Sequence, residues 1–128
     1  RSDIRVHLPL YESSKKITKE AEPILTGLLK QEKYKGYRLV VLGHSLGGAL
    51  APLAAMDLKD ILKLKKSEIE LHVFDTPRVG NIVFANIVNY HFNKLTRVTH
   101  GYDPIPRSLL KMAHYSHFAN ELYYPPID

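Results

Sequence analysis

A turn of small residues separates an apolar run from a helix-like run in the first half of the sequence. Its letters, Gly43-His44-Ser45-Leu46-Gly47, form a G-x-S-x-G box. With a strand before it and a helix after it, this box predicts a sharp turn that lifts a serine hydroxyl above a sheet. Only small residues let such a helix pack against the strand, and Gly43, Gly47, Gly48 and Ala49 meet that need. The turn therefore favours an α/β fold.

Ser45 is the candidate nucleophile of this turn. A serine hydroxyl attacks a carbonyl only when it is held in the open, near a base and near donors for the oxyanion. The backbone N–H of Leu46 is the oxyanion donor that the sequence assigns, because Leu46 directly follows the nucleophile. The alternative is a glycine-rich turn whose serine only caps the helix.

Strand and helix patterns alternate around the box. Apolar residues at helical spacing predict a helix from 12 to about 33, which Pro23 and Gly27 should bend or weaken. The patterns also predict strands over 4–7, 38–42, 69–74 and 96–100, helices over 49–58 and 81–92, and a loop from 101 onward. This alternation indicates a mostly parallel sheet with helices on its faces.

The composition is that of a single globular domain. Apolar residues make up 45% of the 128 positions, and no run is long enough to span a membrane. Cysteine is absent, so the sequence allows no disulfide and leaves the redox compartment open. The net charge of +5 suits an anionic lipid surface better than nucleic acid, but the lysines are scattered, as on a solvated surface. No signal-like segment follows Arg1, so we expect a processed or incomplete chain.

Four segments carry a resemblance to a known family. They are Gly43-His44-Ser45-Leu46-Gly47-Gly48-Ala49-Leu50-Ala51; Thr76-Pro77-Arg78-Val79-Gly80-Asn81 with Phe84-Ala85-Asn86; Arg97-Val98-Thr99-His100 leading into Asp103-Pro104-Ile105-Pro106-Arg107; and Tyr115-Ser116-His117 followed by Glu121. In this order and at this spacing, they resemble the markers of the fungal-type triacylglycerol lipases, or class 3 lipases. The resemblance spans roughly residues 6–124. It implies an α/β-hydrolase fold and the hydrolysis of carboxylic esters, above all lipid esters.

Two acidic residues are candidates for the carboxylate that orients the base. A serine nucleophile needs a base and an orienting acid, and in this fold the chain order is serine, acid, histidine. Asp103 and Asp75 both follow predicted strands. The resemblance places the family's catalytic aspartate on Asp103, which we favour. The family usually has a small residue at the position of Asp75, and a turn-forming or capping carboxylate is the alternative there.

The histidines fit the role of the base poorly. His117 is a weak candidate, because the marker that it matches is not the family's catalytic one and no strand is predicted between Asp103 and His117. His114 is weaker still, and His44 is expected to pack beside the nucleophile. We interpret the remaining four as ordinary strand or helix residues: His7, His72, His91 and His100. We therefore expect the catalytic histidine outside this chain.

Two further family features have no counterpart in the sequence. The lid and the upstream oxyanion residue are missing, and His7-Leu8-Pro9-Leu10-Tyr11 departs from the family's usual His-x-Gly-Phe. Loss of one oxyanion donor costs about 10²–10³ in rate, and loss of a triad member roughly 10⁴ or more. We expect residues 1–128 alone to be nearly inactive, and to be the central part of one α/β-hydrolase domain.

The resulting prediction is a carboxylic ester hydrolase that acts on lipid esters through an acyl-enzyme on Ser45. Its partners would be a lipid or other ester substrate and, transiently, a lipid interface, but not nucleic acid. No cofactor or metal is predicted, because the His and acidic residues have no ligand-like spacing. The alternatives are a non-catalytic scaffold that binds lipid or a partner, and a phospholipase, monoglyceride lipase or aryl-ester hydrolase of the same fold. The resemblance alone favours secretion.

Overall fold

The computed structural model describes residues 3–108 and 114–127. Within them, the helices are α1 (Leu8–Leu29), α2 (Leu46–Ile61) and α3 (Ile82–His91). The strands are β1 (Leu39–His44), β2 (Ile69–Phe74), β3 (Gly80–Asn81), β4 (Lys94–His100), β5 (Tyr115–Ser116) and β6 (Glu121–Tyr124). Single 3₁₀ turns lie at Glu32–Tyr34, Lys66–Glu68 and Ile105–Arg107. None of the helices in this part of the chain is long and apolar enough to cross a membrane.

The main sheet has four strands in the order β1-β2-β4-β6, and each neighbouring pair is parallel. The short strands β3 and β5 form a separate antiparallel pair. Because the main strands run in one direction, the segments that leave their carboxyl ends meet at one edge of the sheet, where α/β folds bind their ligands. The predicted parallel sheet is confirmed, and this edge carries the candidate site.

One face of the sheet forms the core. Helix α2 packs against β1 and β2, and α1 packs against α2. The side chains of Ile69, Leu71 and Val73 alternate along β2 and are fully buried beneath these helices. Burying an aliphatic side chain of this size stabilises the fold by about 1.5–3 kcal/mol. The small side chains of Ala49 and Ala55, also fully buried, let α2 approach the strands closely.

The other face of the main sheet is open in the described part of the chain. Leu42 of β1 is 63% exposed, and Val40 is exposed on the same face. Leu122 and Tyr124 of β6 are exposed as well. The alternation in β1 thus separates a covered face from one without cover, on which β2 adds the polar side chains of Glu70 and His72.

Two predictions at the ends of the chain are wrong. The strand predicted over 4–7 is reduced to one bridge between Val6 and Gly80, and α1 begins at Leu8. Pro9 lies in the first turn of this helix, where a backbone N–H would have no acceptor within the helix. The proline therefore does not interrupt α1. The loop predicted from 101 onward contains β5 and β6, and β6 pairs with β4. Residues 109–113 of that predicted loop lie outside the described residues.

The other predicted boundaries lie within a few residues of the observed ones. Strand β2 has the predicted bounds, whereas α1 ends at Leu29 and α2 extends beyond 49–58 at both ends. Pro23 lies inside α1 and Pro52 inside α2 without ending either helix. Helix α3 begins after Asn81, whose side chain accepts a hydrogen bond from the Phe84 N–H at 3.1 Å. Such a cap satisfies one of the first N–H groups of the helix and defines its start.

Candidate active site

Ser45 lies in the turn between β1 and α2, with φ 53° and ψ −119°. Non-glycine residues rarely adopt positive φ, and this strain costs on the order of 1–3 kcal/mol. The turn is held by its backbone: the Ser45 N–H donates to the Phe74 carbonyl at 2.9 Å, and the Ser45 carbonyl accepts from the Ala49 N–H at 3.1 Å. The Ser45 side chain makes no capping hydrogen bond to α2, which counts against the helix-cap alternative.

Two of the glycines are required by the close packing of this turn. A Cβ on Gly43 would lie 2.3 Å from the carbonyl oxygen of Gly47, and one on Gly48 would lie 2.9 Å from the Cβ of Thr76. These distances are too short for any side chain, so α2 can pack here only against glycine. The packing role predicted for Gly47 is wrong, because a Cβ there would meet no atom within 4 Å.

The Leu46 N–H is well placed to act as an oxyanion donor. Leu46 is the first residue of α2, and the N–H groups of a first helical turn have no acceptor within the helix. The start of a helix also carries a partial positive charge, which favours a developing anion. The Leu46 side chain is exposed, so the space above this turn is open to a substrate.

Asp103 lies at the same edge of the sheet as Ser45, in the segment after β4. Adjacent strands are about 4.8 Å apart, so the ends of β1 and β4 lie about 10 Å apart across β2. That span is roughly what a histidine placed between a serine and a carboxylate would bridge. The Asp103 N–H donates to the His100 carbonyl at 3.2 Å, and one carboxylate oxygen accepts from the Ile105 N–H at 2.9 Å.

Asp75 follows β2 and lies between the other two candidates along the edge. Its backbone has φ 48°, its N–H donates to the Val98 carbonyl at 2.8 Å, and its carboxylate accepts from the His100 N–H at 3.1 Å. The carboxylate thus joins the ends of β2 and β4, and Asp tolerates the positive φ of a tight turn. This arrangement favours the turn-forming interpretation of Asp75.

His117 lies in a cavity of about 220 Å³ beside the segment that carries Asp103. Its Nε2 is 2.6 Å from the Pro106 carbonyl oxygen. A carbonyl can only accept, so this ring nitrogen donates its hydrogen to the backbone. Burial lowers the pKa of His117 to about 4, and the charges of Arg97 and Arg78 act in the same direction. The imidazole is therefore neutral at pH 7, with one N–H committed to Pro106.

No hydrogen bond joins Ser45 to any histidine within the described residues. His44 is exposed on the open face of the sheet, so its predicted packing role is wrong: at the end of β1 it follows Leu42 onto the side without cover. His114 is exposed and has φ 57°. His72 contacts Thr96, with its Nδ1 2.6 Å from the threonine hydroxyl.

Sequence reasoning missed an ion pair behind the Asp103 segment, between a buried arginine and a half-exposed glutamate. Arg97 of β4 is only 7% exposed, and its Nη1 lies 3.2 Å from the Oε1 of Glu121 in β6. The Thr99 hydroxyl donates to the same oxygen at 2.7 Å. The hydrogen bond from Thr99 lowers the pKa of Glu121, and the charge of Arg97 lowers it further. The sequence signal was present, since Arg97 and Glu121 both belong to the family markers, but it gave no indication that they are in contact.

The described residues contain no cluster of three or more His, Asp or Glu side chains that could hold a metal ion. What the carboxyl edge brings together is a strained serine, a helix-start N–H and two carboxylates with different partners. This set of groups suits nucleophilic attack on a carbonyl carbon, followed by stabilisation of the resulting oxyanion.

Comparisons of family, sequence and structure all match this chain to lipases. The family model described as Lipase (class 3) matches residues 1–112. The secreted mono- and diacylglycerol lipase 1 of Fusarium solani is 45% identical over 71 residues, which cover 56% of this chain and 20% of that protein. The crystal structure of the lipase from Rhizopus microsporus var. chinensis superposes with a TM-score of 0.87 at 31% identity, covering 96% of this chain and 42% of that one.

A second solved structure is a triacylglycerol lipase whose catalytic centre is described as a serine protease triad. It matches with a TM-score of 0.86 at 30% identity, over 96% of this chain and 46% of that one. These solved lipases confirm the predicted α/β-hydrolase fold. The chain spans less than half the length of either solved lipase, and about a fifth of the Fusarium relative.

Proposed function

The chain belongs to the class 3 lipase family, and from this membership we propose that it supplies the nucleophile and the orienting acid of a carboxylic ester hydrolase. The observation that carries the proposal is the positive φ of Ser45 between β1 and α2, with the Leu46 N–H at the start of the helix. We further infer that residues 1–128 are part of a single α/β-hydrolase domain.

In the proposed reaction, the Ser45 Oγ attacks the ester carbonyl carbon while a histidine beyond residues 1–128 takes its proton. The Leu46 N–H donates to the oxyanion of the tetrahedral intermediate. When that intermediate collapses, the ester C–O bond breaks, and the histidine returns the proton to the departing alcohol. A water molecule, deprotonated by the same histidine, then attacks the acyl-enzyme and releases the carboxylic acid.

We assign the orienting acid to Asp103. Its carboxylate accepts a local bond from the Ile105 N–H, which leaves the second oxygen free of any bonded partner within the described residues. Asp75, by contrast, uses its carboxylate to join two strand ends through His100. Each carboxylate thus keeps one oxygen that could face a base, and we assign the role to Asp103 because it lies in the segment after β4 that resembles the family's aspartate marker.

Lipid esters are the substrate class that we propose. The Fusarium relative is named a mono- and diacylglycerol lipase, and one solved neighbour is a triacylglycerol lipase. Apolar side chains at the carboxyl edge also suit transient contact with a lipid interface, since Leu46, Tyr102 and Ile105 are exposed there.

A fluorophosphonate probe tests the assignment of Ser45. In the natural full-length protein that carries this chain, we expect the probe to attach to Ser45, and we expect Ser45→Ala to lose both labelling and hydrolysis of p-nitrophenyl esters. Labelling of another residue would remove the proposed nucleophile. A protein that takes up no probe at all would support the non-catalytic scaffold instead.

A further inference from the structure

We propose that His117 is a positioning residue for Asp103: its imidazole holds the loop 101–107, and thereby sets where the Asp103 carboxylate lies relative to the base. This inference rests on the proposed function, because it gives Asp103 the role of orienting acid. It assigns His117 no proton transfer.

The first support is the contact between His117 and the loop. The Nε2–H of His117 donates to the Pro106 carbonyl at 2.6 Å, three residues after Asp103. Pro106 is buried, and its carbonyl has no other hydrogen-bond donor within the described residues. A buried carbonyl without a partner costs about 1–3 kcal/mol, which opposes any movement of the loop away from the ring.

The second support is that the segment around His117 is hydrogen-bonded to the main sheet. The next residue, Phe118, has its carbonyl bound by the Nε of buried Arg97 at 3.1 Å. Arg97 in β4 also binds Glu121 in β6, on the other side of the same segment. The backbone next to His117 is thus bonded to β4, and the imidazole carries that position to the loop.

The loop is also held at its two ends. The Gly101 N–H donates to the Tyr124 carbonyl at 2.8 Å, and the Arg107 carbonyl accepts from the Nη1 of Arg78 at 3.3 Å. His117 contacts the loop between these two ends, at Pro106, three residues after Asp103. Removing it would leave the middle of the loop with only its local hydrogen bonds, while the ends stay attached.

The neutral state of the ring fits this role. Burial and the nearby charges of Arg97 and Arg78 keep His117 neutral above pH 4, and Glu121 acts in the opposite direction. A ring with a single, fixed N–H donor is suited to hold a carbonyl and not to shuttle protons. Displacing a catalytic group by about 1 Å can cost roughly 10²-fold in rate, so a loose loop should be visible in kcat.

The experiment compares His117→Leu with His117→Gln in the natural full-length protein, with active sites counted by the burst of p-nitrophenol. The Gln amide can still donate to Pro106, and the Leu side chain cannot. We expect His117→Leu to lower kcat per titrated site by about 10- to 100-fold with little change in KM, and His117→Gln to stay within about threefold of the wild type. His91→Leu is the matched control: this half-buried histidine ends α3, and its loss should leave kcat per site unchanged.

Other outcomes would overturn the inference in different ways. Wild-type kcat per site in His117→Leu, with only fewer active sites or a lower Tm, would make the residue purely structural. Loss of both labelling and turnover in the Gln and Leu variants alike would make His117 the base. A wild-type protein that the fluorophosphonate probe does not label at Ser45 would remove the proposed function, and the positioning role with it.

A second variant covers a failure of His117→Leu to fold. Arg78→Ala removes the bond to the Arg107 carbonyl from the outer side of the loop, without opening the core. We expect a several-fold lower kcat per titrated site, again with KM little changed. An unchanged kcat in this variant would overturn the view that the position of the loop controls Asp103.

Discussion

The carboxylate of Asp75 accepts a hydrogen bond from the backbone N–H of His100 at 3.1 Å, and this bond joins the carboxyl ends of β2 and β4. The His100 carbonyl in turn accepts from the Asp103 N–H at 3.2 Å. The two acids that follow the strands therefore have different positions in one chain of contacts. Asp75 supports the strand end from which the Asp103 loop departs.

The first prediction separates these two acids by substitution with asparagine. In the full-length protein, Asp103→Asn should lower kcat by about 10⁴-fold with the fold intact, because an amide cannot hold the base in the correct tautomer. Asp75→Asn should change kcat far less, since its amide oxygen can still accept from the His100 N–H. Steady-state kinetics with circular dichroism as the folding control would measure both, and the opposite ranking would transfer the acid role to Asp75.

The second prediction concerns the glycines of the Ser45 turn. Gly43→Ala should destabilise the protein by at least about 1–3 kcal/mol, because its Cβ would overlap the backbone carbonyl of Gly47 and force α2 away from β1. Gly47→Ala is the matched control: it meets no atom within 4 Å and should be neutral or slightly stabilising, as alanine favours helix by about 1 kcal/mol. Thermal melts would measure the difference, and equal losses in the two variants would contradict it.

The features that could be predicted from the sequence are local ones. The box around Ser45 lies within a few consecutive residues, and the apolar run of β2 has the same bounds in the structure as in the sequence pattern. A strand buried on one face shows its alternation directly, and the alternation of strand and helix patterns along the chain indicated the parallel sheet. Ser45 and Leu46 could be assigned for the same reason, since the turn places them without help from distant residues.

The missed features depend on contacts between distant segments. All four residues of β6 are exposed, so the strand has no apolar alternation, and only its pairing with β4 reveals it. Arg97 and Glu121 are 24 positions apart in the sequence. Their contact becomes clear only once β4 and β6 are adjacent. His117 could be matched to a marker, but its bond to Pro106 requires the folded loop.

The third prediction follows from the pKa of His117. The folded protein binds this proton only near pH 4, whereas an unfolded chain binds it near the ordinary value of 6.5. The unfolded state therefore binds more protons between these values, and the stability contributed by the neutral ring is present above about pH 6.5 and lost as the pH falls toward 4. Between about pH 7 and 5, the Tm of the wild type should fall by several degrees more than that of His117→Gln.

Thermal melts across this range would measure the difference between the two proteins. The range stays above the region where the carboxylates lose their contribution, because the pKa of Glu121 and that of Glu70 are both lowered from the ordinary value. Parallel curves for wild type and His117→Gln would show that the ring titrates normally in the folded state.

The last prediction concerns residues 1–128 expressed alone, in which the apolar side chains of Val40, Leu42 and Leu122 are exposed on the uncovered face of the main sheet. Large exposed apolar patches and free strand edges promote association, so we expect aggregates in light scattering, strong binding of a hydrophobic dye and esterase activity near background. Leu42→Lys places a charge on this face and should raise the soluble fraction. Ile61→Lys, at the exposed end of α2, is the control and should raise it less.

A monodisperse chain that binds no dye would contradict the prediction that this face of the sheet is uncovered. Stoichiometric burst release from the chain, lost in His117→Ala, would instead make His117 the base, because the chain would then contain every group that the reaction needs.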